Sequence, residues 1–133
     1  MIRCIYLLSV KDRQRRDQLI AQFLNGQRWL VTDAKMVKLS NKLQGWTRSV
    51  YEFGCAFIHL SKYHDPTQDP FDSLSPQERN EIAHHLAYYH GFHMDAGTSF
   101  RKIDPILPGV FEKIAGNLEC YVRDLENGLE LKS

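Results

Sequence analysis

The chain has 133 residues, of which 43% are hydrophobic and 25% charged, with a formal net charge of +1. That length suits one domain with a real core, and the composition is that of a globular protein rather than a disordered, fibrous or membrane-spanning one. So even a charge balance excludes nucleic-acid recognition by overall charge; any RNA contact has to come from a local patch.

The apolar run at the start, Ile2 to Val10, is too short to cross a bilayer. It has no small-residue cleavage site and leads straight into charged residues, so no signal peptide is read. A run this short has no readable period; we read it as a short strand or extended arm, the alternative being the lead into the first helix. Lys11 to Leu24 is predicted helical, with Leu19, Ile20, Phe23 and Leu24 as its core stripe and Asn25-Gly26 as its stop. Lys11, Arg13, Arg15 and Arg16, partly balanced by Asp12 and Asp17, read as a solvated face laced with salt bridges. The functional alternative is a phosphate-tracking patch whose binding weakens with salt.

Trp29, Leu30 and Val31 are expected to plug the core from a connector. Thr32 or Asp33 can cap a second helix carrying Met36, Val37, Leu39, Ser40 and Leu43. Gly45 either bends that helix or separates it from a new one near Trp46. Trp46 to Tyr63 has two apolar stripes, Trp46, Val50, Phe53, Phe57 and Leu60 on one and Tyr51, Cys55 and Ile58 on the other. A helix apolar on two sides is central to a bundle or faces a partner subunit, and Gly54 with Ala56 leaves room for close approach. Asp65 to Ser73, with two Asp-Pro pairs, is a loop.

Leu74 to His93 organises the rest and holds four of the six histidines. Ser75-Pro76-Gln77-Glu78 starts a helix: serine at the N-cap, proline at the first helical position, glutamate placed for a capping box. Ile82, Ala83, Leu86 and Tyr89 give the inward face and Gly91 the stop. The helix is predicted over 76–90. Asp95 to Pro108 reads as irregular; Arg101 and Asp104 lie there as ligand contacts that nothing in the pattern singles out. A last helix is expected over Gly109 to Glu126, with Val110, Phe111, Ile114, Leu118, Tyr121, Val122 and Leu125 inward, and a frayed tail from Leu129. Cys4, Cys55 and Cys120 form no disulfide framework and read as reduced thiols, mostly buried, in a cytosolic protein. The expected architecture is all-α, a single-domain bundle of four or five helices with that N-terminal arm.

On the organising helix, Arg79-Asn80-Glu81-Ile82-Ala83-His84 resembles the R-x4-6-H signature of HEPN domains, including the asparagine after the arginine and the Ile-Ala pair before the histidine. The match covers about Leu74 to His90. It departs from the family in that His85 and Leu86 continue the helix where a small or turn residue is usual, and in that the motif opens its helix directly after a loop. HEPN proteins are small helical bundles, many of them dimeric, metal-independent ribonucleases of toxin–antitoxin and defence systems. The resemblance implies attack of a ribose 2′-OH on the adjacent phosphate, with His84 as general acid or base, Arg79 as phosphate clamp and Asn80 positioning the pair. It implies RNA as substrate, an antitoxin or other protein as partner, a homodimer, and no cofactor. Five helical steps of about 100° place Arg79 and His84 roughly 140° apart on the helix, so a shared phosphate requires the arginine to swing, or a second subunit to supply another pair.

Two other readings stand beside it. One is a non-catalytic dimeric module binding a protein or small ligand through Tyr88, Tyr89 and His90, with Phe92. The other is a metal-binding bundle. Glu81 and His84 form one E-x-x-H pair, but a di-iron bundle needs a second, and Glu52, Glu112 and Glu119 are only loose candidates for the remaining ligands. A mononuclear site from His59 or His64 with His85 and His90 is the other geometry. Neither H-E-x-x-H nor a Cys/His zinc spacing occurs, so no metal ligand is assigned.

Overall fold

The computed structural model describes residues 1–60 and 67–131. It is all-helical: α1 Ile2–Ser9, α2 Arg13–Leu24, α3 Asp33–Leu43, α4 Thr47–Leu60, α5 Pro76–His90, a short α6 Phe100–Ile103 and α7 Leu107–Glu126, with 3₁₀ turns at Pro70–Ser73 and Asp104–Ile106. There is no strand among the described residues, and none of their helices is long and apolar enough to cross a membrane. Tyr63, His64 and the opening Asp65-Pro66 of the expected loop lie outside the described residues. By internal contacts the chain falls into two compact units, Met1–Arg48 with Ile114–Ser133, and Ser49–Lys113.

In the first unit, the expected N-terminal strand or arm is instead α1. Ile5 and Leu8, one helical turn apart, are both buried and pack with Tyr121, flanked by Met1, Cys4, Trp46, Leu125 and Leu131; an alternating strand would have sent them to opposite faces. α1 packs on α3, where Met36, Val37 and Ser40 are buried, and Ser40 Oγ donates to the carbonyl of Ile2 at 3.4 Å. Thr32 caps α3 by accepting from the Lys35 N–H. The chain stops that helix before Gly45 and starts α4 at Thr47, so a new helix begins rather than a bend.

α2 is built differently from its expected stripe. Leu19 is buried, but Phe23 and Leu24 are exposed. Arg16, expected on a solvated face, is 3% exposed. Its guanidinium donates to the carbonyls of Val10 and Leu129, and Arg13 donates to that of Gly128. Two of the four basic residues are therefore spent on backbone carbonyls. The tail is tied rather than frayed as far as Leu131, whose N–H donates to the carbonyl of Leu8 at 3.1 Å. In the connector Trp29 and Val31 are half-buried, Trp29 donating from Nε1 to the carbonyl of Leu19 at 2.8 Å, but Leu30 is 98% exposed. Of the three free cysteines, Cys4 and Cys55 are partly buried and Cys120 is exposed, because it sits on the outer side of α7.

The second unit has Phe53, Ala56 and Leu60 of α4, Phe71, Ile82 and Leu86, and Ile103, Leu107 and Val110 in its core. Phe57 joins rings from three directions, contacting Phe53, Phe100 and Phe111 at centroid distances of 4.9, 6.5 and 5.8 Å. The second apolar stripe of α4 does not become core, since Ile58 is exposed. Asp69 caps the 3₁₀ turn through the Phe71 N–H and also accepts from the Phe100 N–H, fastening the start of α6. That start and the Thr98 turn before it are more ordered than the irregular stretch expected there. α7 begins two residues earlier than predicted, because Pro108 in the first turn forfeits an N–H that has no helical partner.

Candidate functional site

α5 spans Pro76–His90, as its caps predict. Ser75 Oγ accepts from the Glu78 N–H, the Glu78 carboxylate accepts from the Ser75 N–H, and Gly91 closes the helix at φ 65°. These contacts hold Glu78 below the ordinary carboxylate range: the Ser75 backbone bond first, then the hydrogen bond with His59.

Arg79 leaves the helix toward the turn before α6. Its Nη2 donates to the carbonyls of Asp95, Ala96 and Thr98 at 3.2, 3.2 and 2.8 Å, and the guanidinium lies over the Phe71 ring at 5.2 Å. The turn is itself knit together. Asp95 accepts from the Thr98 hydroxyl and the Gly97 N–H, bonds that keep its carboxyl below the usual range. Arg79 lines a cleft of about 330 Å³ with Pro76, Asn80, Ala83, Met94 and Asp95.

His84 lies on a different cleft, of about 370 Å³, lined by Ser49 and Glu52 of α4 and by Gln77, Asn80, Glu81 and His84 of α5. It is exposed, stacks on Tyr88 at 5.8 Å, and makes no hydrogen bond among the described residues. The structure thus brings Asn80 together with each of its motif partners, but sets Arg79 and His84 in separate clefts with Asn80 lining both. That follows from their angular separation on the helix, and from the carbonyl trio that claims the arginine.

The adjacent histidine has the opposite character. His85 is 1% exposed, stacked on Phe53 at 4.5 Å and close to Tyr89 and His90 at 5.0 and 5.4 Å. Its Nδ1 is 3.0 Å from Ser49 Oγ, and its Nε2 is buried without a partner among the described residues. Burial first, then the neighbouring positive charges of His90, His84 and Lys113, push this imidazole down to about 4. It stays neutral and serves to hold Ser49 at the wall of the His84 cleft.

Ser49 is the residue that the sequence reading passes over. A signal was present: Ser49, Phe53, Ala56 and Leu60 recur at helical spacing on one stripe of α4, and His85 sits within the Ile82, Leu86, Tyr89 stripe of α5. One polar residue on each of two buried stripes is a cue for pairing, because an unpaired one is costly.

The three expected ligand residues differ in exposure but are linked ring to ring, Tyr88 meeting Tyr89 edge to face at 4.8 Å. Tyr88 is 74% exposed and joins His84. Tyr89 and His90 are half-buried around His85, and Lys113 Nζ donates to the Tyr89 carbonyl. Among the described residues no three histidine, cysteine or carboxylate side chains are grouped so as to hold a metal ion. His59 pairs with Glu78 and Glu119 with Arg123.

Comparison with protein-family models, with curated proteins and with solved structures finds no match to this chain.

Proposed function

We propose that the α5 face carrying Asn80 and His84 is the reactive face of a HEPN-like, metal-independent endoribonuclease of the toxin–antitoxin or defence kind. One observation carries this reading: the His84 side chain is exposed on a cleft lined by polar residues and has no hydrogen-bonded role among the described residues, whereas His85 is spent in the core and His59 on Glu78. In the reaction His84 takes the proton of a ribose 2′-OH and the oxygen attacks the adjacent phosphorus. The 5′-oxygen leaves and takes a proton from water, giving a 2′,3′-cyclic phosphate and a 5′-hydroxyl end. Ser49 and Asn80 orient the phosphate by hydrogen bonds. A strand crossing Asn80 meets His84 in one cleft and Arg79 in the other, and a homodimer supplies a second set.

Arg79 favours a second reading. An arginine whose Nη2 already serves three carbonyls acts as a structural clasp, and α5 is then part of a non-catalytic dimeric module, with the exposed Tyr88 as its contact for a protein or small ligand.

The decisive experiment is cleavage of labelled RNA in the presence of EDTA. The nuclease reading expects cutting by the wild type, loss with His84→Ala at unchanged circular dichroism, and a lesser loss with Asn80→Ala. Intact RNA with the wild type, or cutting by His84→Ala at the wild-type rate, transfers the case to the binding module.

A further inference from the structure

A second concave site lies in the first unit, away from anything the α5 motif explains. It measures about 430 Å³, and its walls include Arg3 of α1, Phe23 of α2, Arg28, Trp29 and Leu30 of the connector, and Asp33 of α3. The Arg3 guanidinium lies over the rings of both Phe23 and Trp29, at 5.3 and 5.7 Å. Trp29 is itself pinned by its Nε1 bond to the Leu19 carbonyl and by its contacts with Tyr6 and Phe23. Neither the Arg3 nor the Arg28 guanidinium has a hydrogen bond or ion pair among the described residues.

A guanidinium lying over two adjoining rings, 6.1 Å apart, is held beside them without spending any of its N–H groups. That arrangement suits a bidentate carboxylate. Beside it stand large apolar side chains with no cover: Leu30 at 98% and Phe23 at 50% exposure. A charge fork next to an uncovered leucine asks for a partner with a carboxylate and an aliphatic group side by side. We propose that this cleft binds an acidic, leucine-bearing peptide segment of a protein partner, its carboxylate on Arg3 with support from Arg28 and its aliphatic side chain on Leu30 and Phe23.

The same surface is poorly suited to single-stranded nucleic acid. Base stacking needs open aromatic faces, and here Trp29 is already engaged by Arg3, Tyr6 and Phe23. The Asp33 carboxylate on the wall can accept from a peptide backbone N–H. The proposal does not depend on whether α5 cuts RNA.

The test uses the full chain and three fluorescein-labelled probes followed by anisotropy: an eight-residue peptide with four glutamates and two leucines, its glutamine-for-glutamate counterpart, and octauridine. The acidic peptide is expected to bind and to weaken as salt is raised. Binding should fall about tenfold with the glutamine peptide and by a similar factor in Arg3→Gln. Leu30→Ser, at a side chain too exposed to matter for folding, should lower it about fivefold. Equal affinity for the two peptides, no effect of Leu30→Ser, or octauridine binding that depends on Arg3 while the acidic peptide fails to bind would each overturn it.

Discussion

Ser49 Oγ and His85 Nδ1 lie 3.0 Å apart, while the other ring nitrogen of His85 is buried without a partner among the described residues. That asymmetry assigns the proton. A buried N–H with no acceptor bears the full cost of its lost hydration, and such orphans are rarer than under-used acceptors. The proton therefore sits on Nδ1 and is donated to Ser49, leaving the serine O–H directed to its other neighbours in the cleft. Nitrogen-15 NMR of the imidazole should show this tautomer, and Ser49→Ala should cost about 1–3 kcal/mol by orphaning the second ring nitrogen as well. A stability change near zero, or a proton found on Nε2, contradicts the assignment.

The same burial makes stability depend on pH. The unfolded chain takes a proton on this histidine near 6.5, and the folded chain resists it down to about 4; His90 is lowered in the same direction by burial and Lys113. A depressed folded value means that the stabilisation is complete above the unfolded value and is lost as pH falls through the interval between the two. For His85 the difference amounts to about 3 kcal/mol. Urea midpoints should fall from pH 6.5 toward 4, and His85→Phe, which keeps a ring against Phe53 but cannot titrate, should flatten that part of the curve. Glu78 and Asp95 are held low instead, so their contribution is lost only at more acidic pH. Identical slopes for wild type and His85→Phe between 6.5 and 4 would remove histidine burial as the cause.

Arg79 and His84 should separate in their effects on folding. Removing Arg79 leaves three carbonyls of the 95–98 turn without their donor and uncovers one face of Phe71. Arg79→Ala is expected to cost about 1–3 kcal/mol and to speed amide exchange through that turn. Arg79→Lys restores little, because an ammonium cannot reproduce a planar fork stacked on a ring. His84→Ala, at an exposed side chain, should stay within about 0.5 kcal/mol of wild type. Thermal melts and hydrogen exchange decide; an Arg79→Ala protein as stable as His84→Ala would return the arginine to a purely functional role.

What could be read in advance divides along the range of the interactions. α5 was legible to its ends because its signals, Ser75, Pro76, Glu78 and Gly91, act within one helical turn. α1 was not, since three buried residues in a short helix, Ile5, Leu7 and Leu8, fit a helical period and, through Ile5 and Leu7, an alternating one as well. The inward face of α2 was misread because an arginine takes a core position: Arg16 is buried by carbonyls at Val10 and, 113 residues away, at Leu129. The candidate site splits in the same way. The divergence of Arg79 and His84 is a matter of helix geometry and follows from their spacing, but the carbonyls that hold the arginine come from 16 to 19 residues further on, beyond any local pattern. Ser49 and His85 are 36 residues apart and visible only as polar interruptions of two apolar stripes.

Gly91 provides a clean measure of helix termination. It adopts φ 65°, and a Cβ added there would meet nothing within 4 Å. Any cost of Gly91→Ala is therefore backbone conformation rather than crowding, about 1 kcal/mol for a left-handed residue. Gly91→Asn should cost less, because asparagine tolerates this region. Equal destabilisation by both, read from urea melts, would point to a packing role instead.

The last prediction concerns the C-terminal segment. Terminal residues after a helix stop are usually dispensable when nothing ties them. Here the Leu129 carbonyl accepts from the buried Arg16, the Leu131 N–H donates to the Leu8 carbonyl, and the Leu131 side chain packs on the Ile5, Leu8 and Tyr121 cluster. Deleting residues 129–133 removes an acceptor from a guanidinium that is only 3% exposed, and a buried charge stripped of a partner is among the more expensive defects in a fold. The truncation should cost about 2–4 kcal/mol, from lost apolar burial together with the stranded arginine. Arg16→Met in the truncated chain should recover part of that loss, because it removes the charge and keeps the packing volume. If instead the truncated chain melts with the full one, the segment is the loose end that its sequence suggested; if it is destabilised but Arg16→Met restores nothing, the loss lies in Leu131 alone.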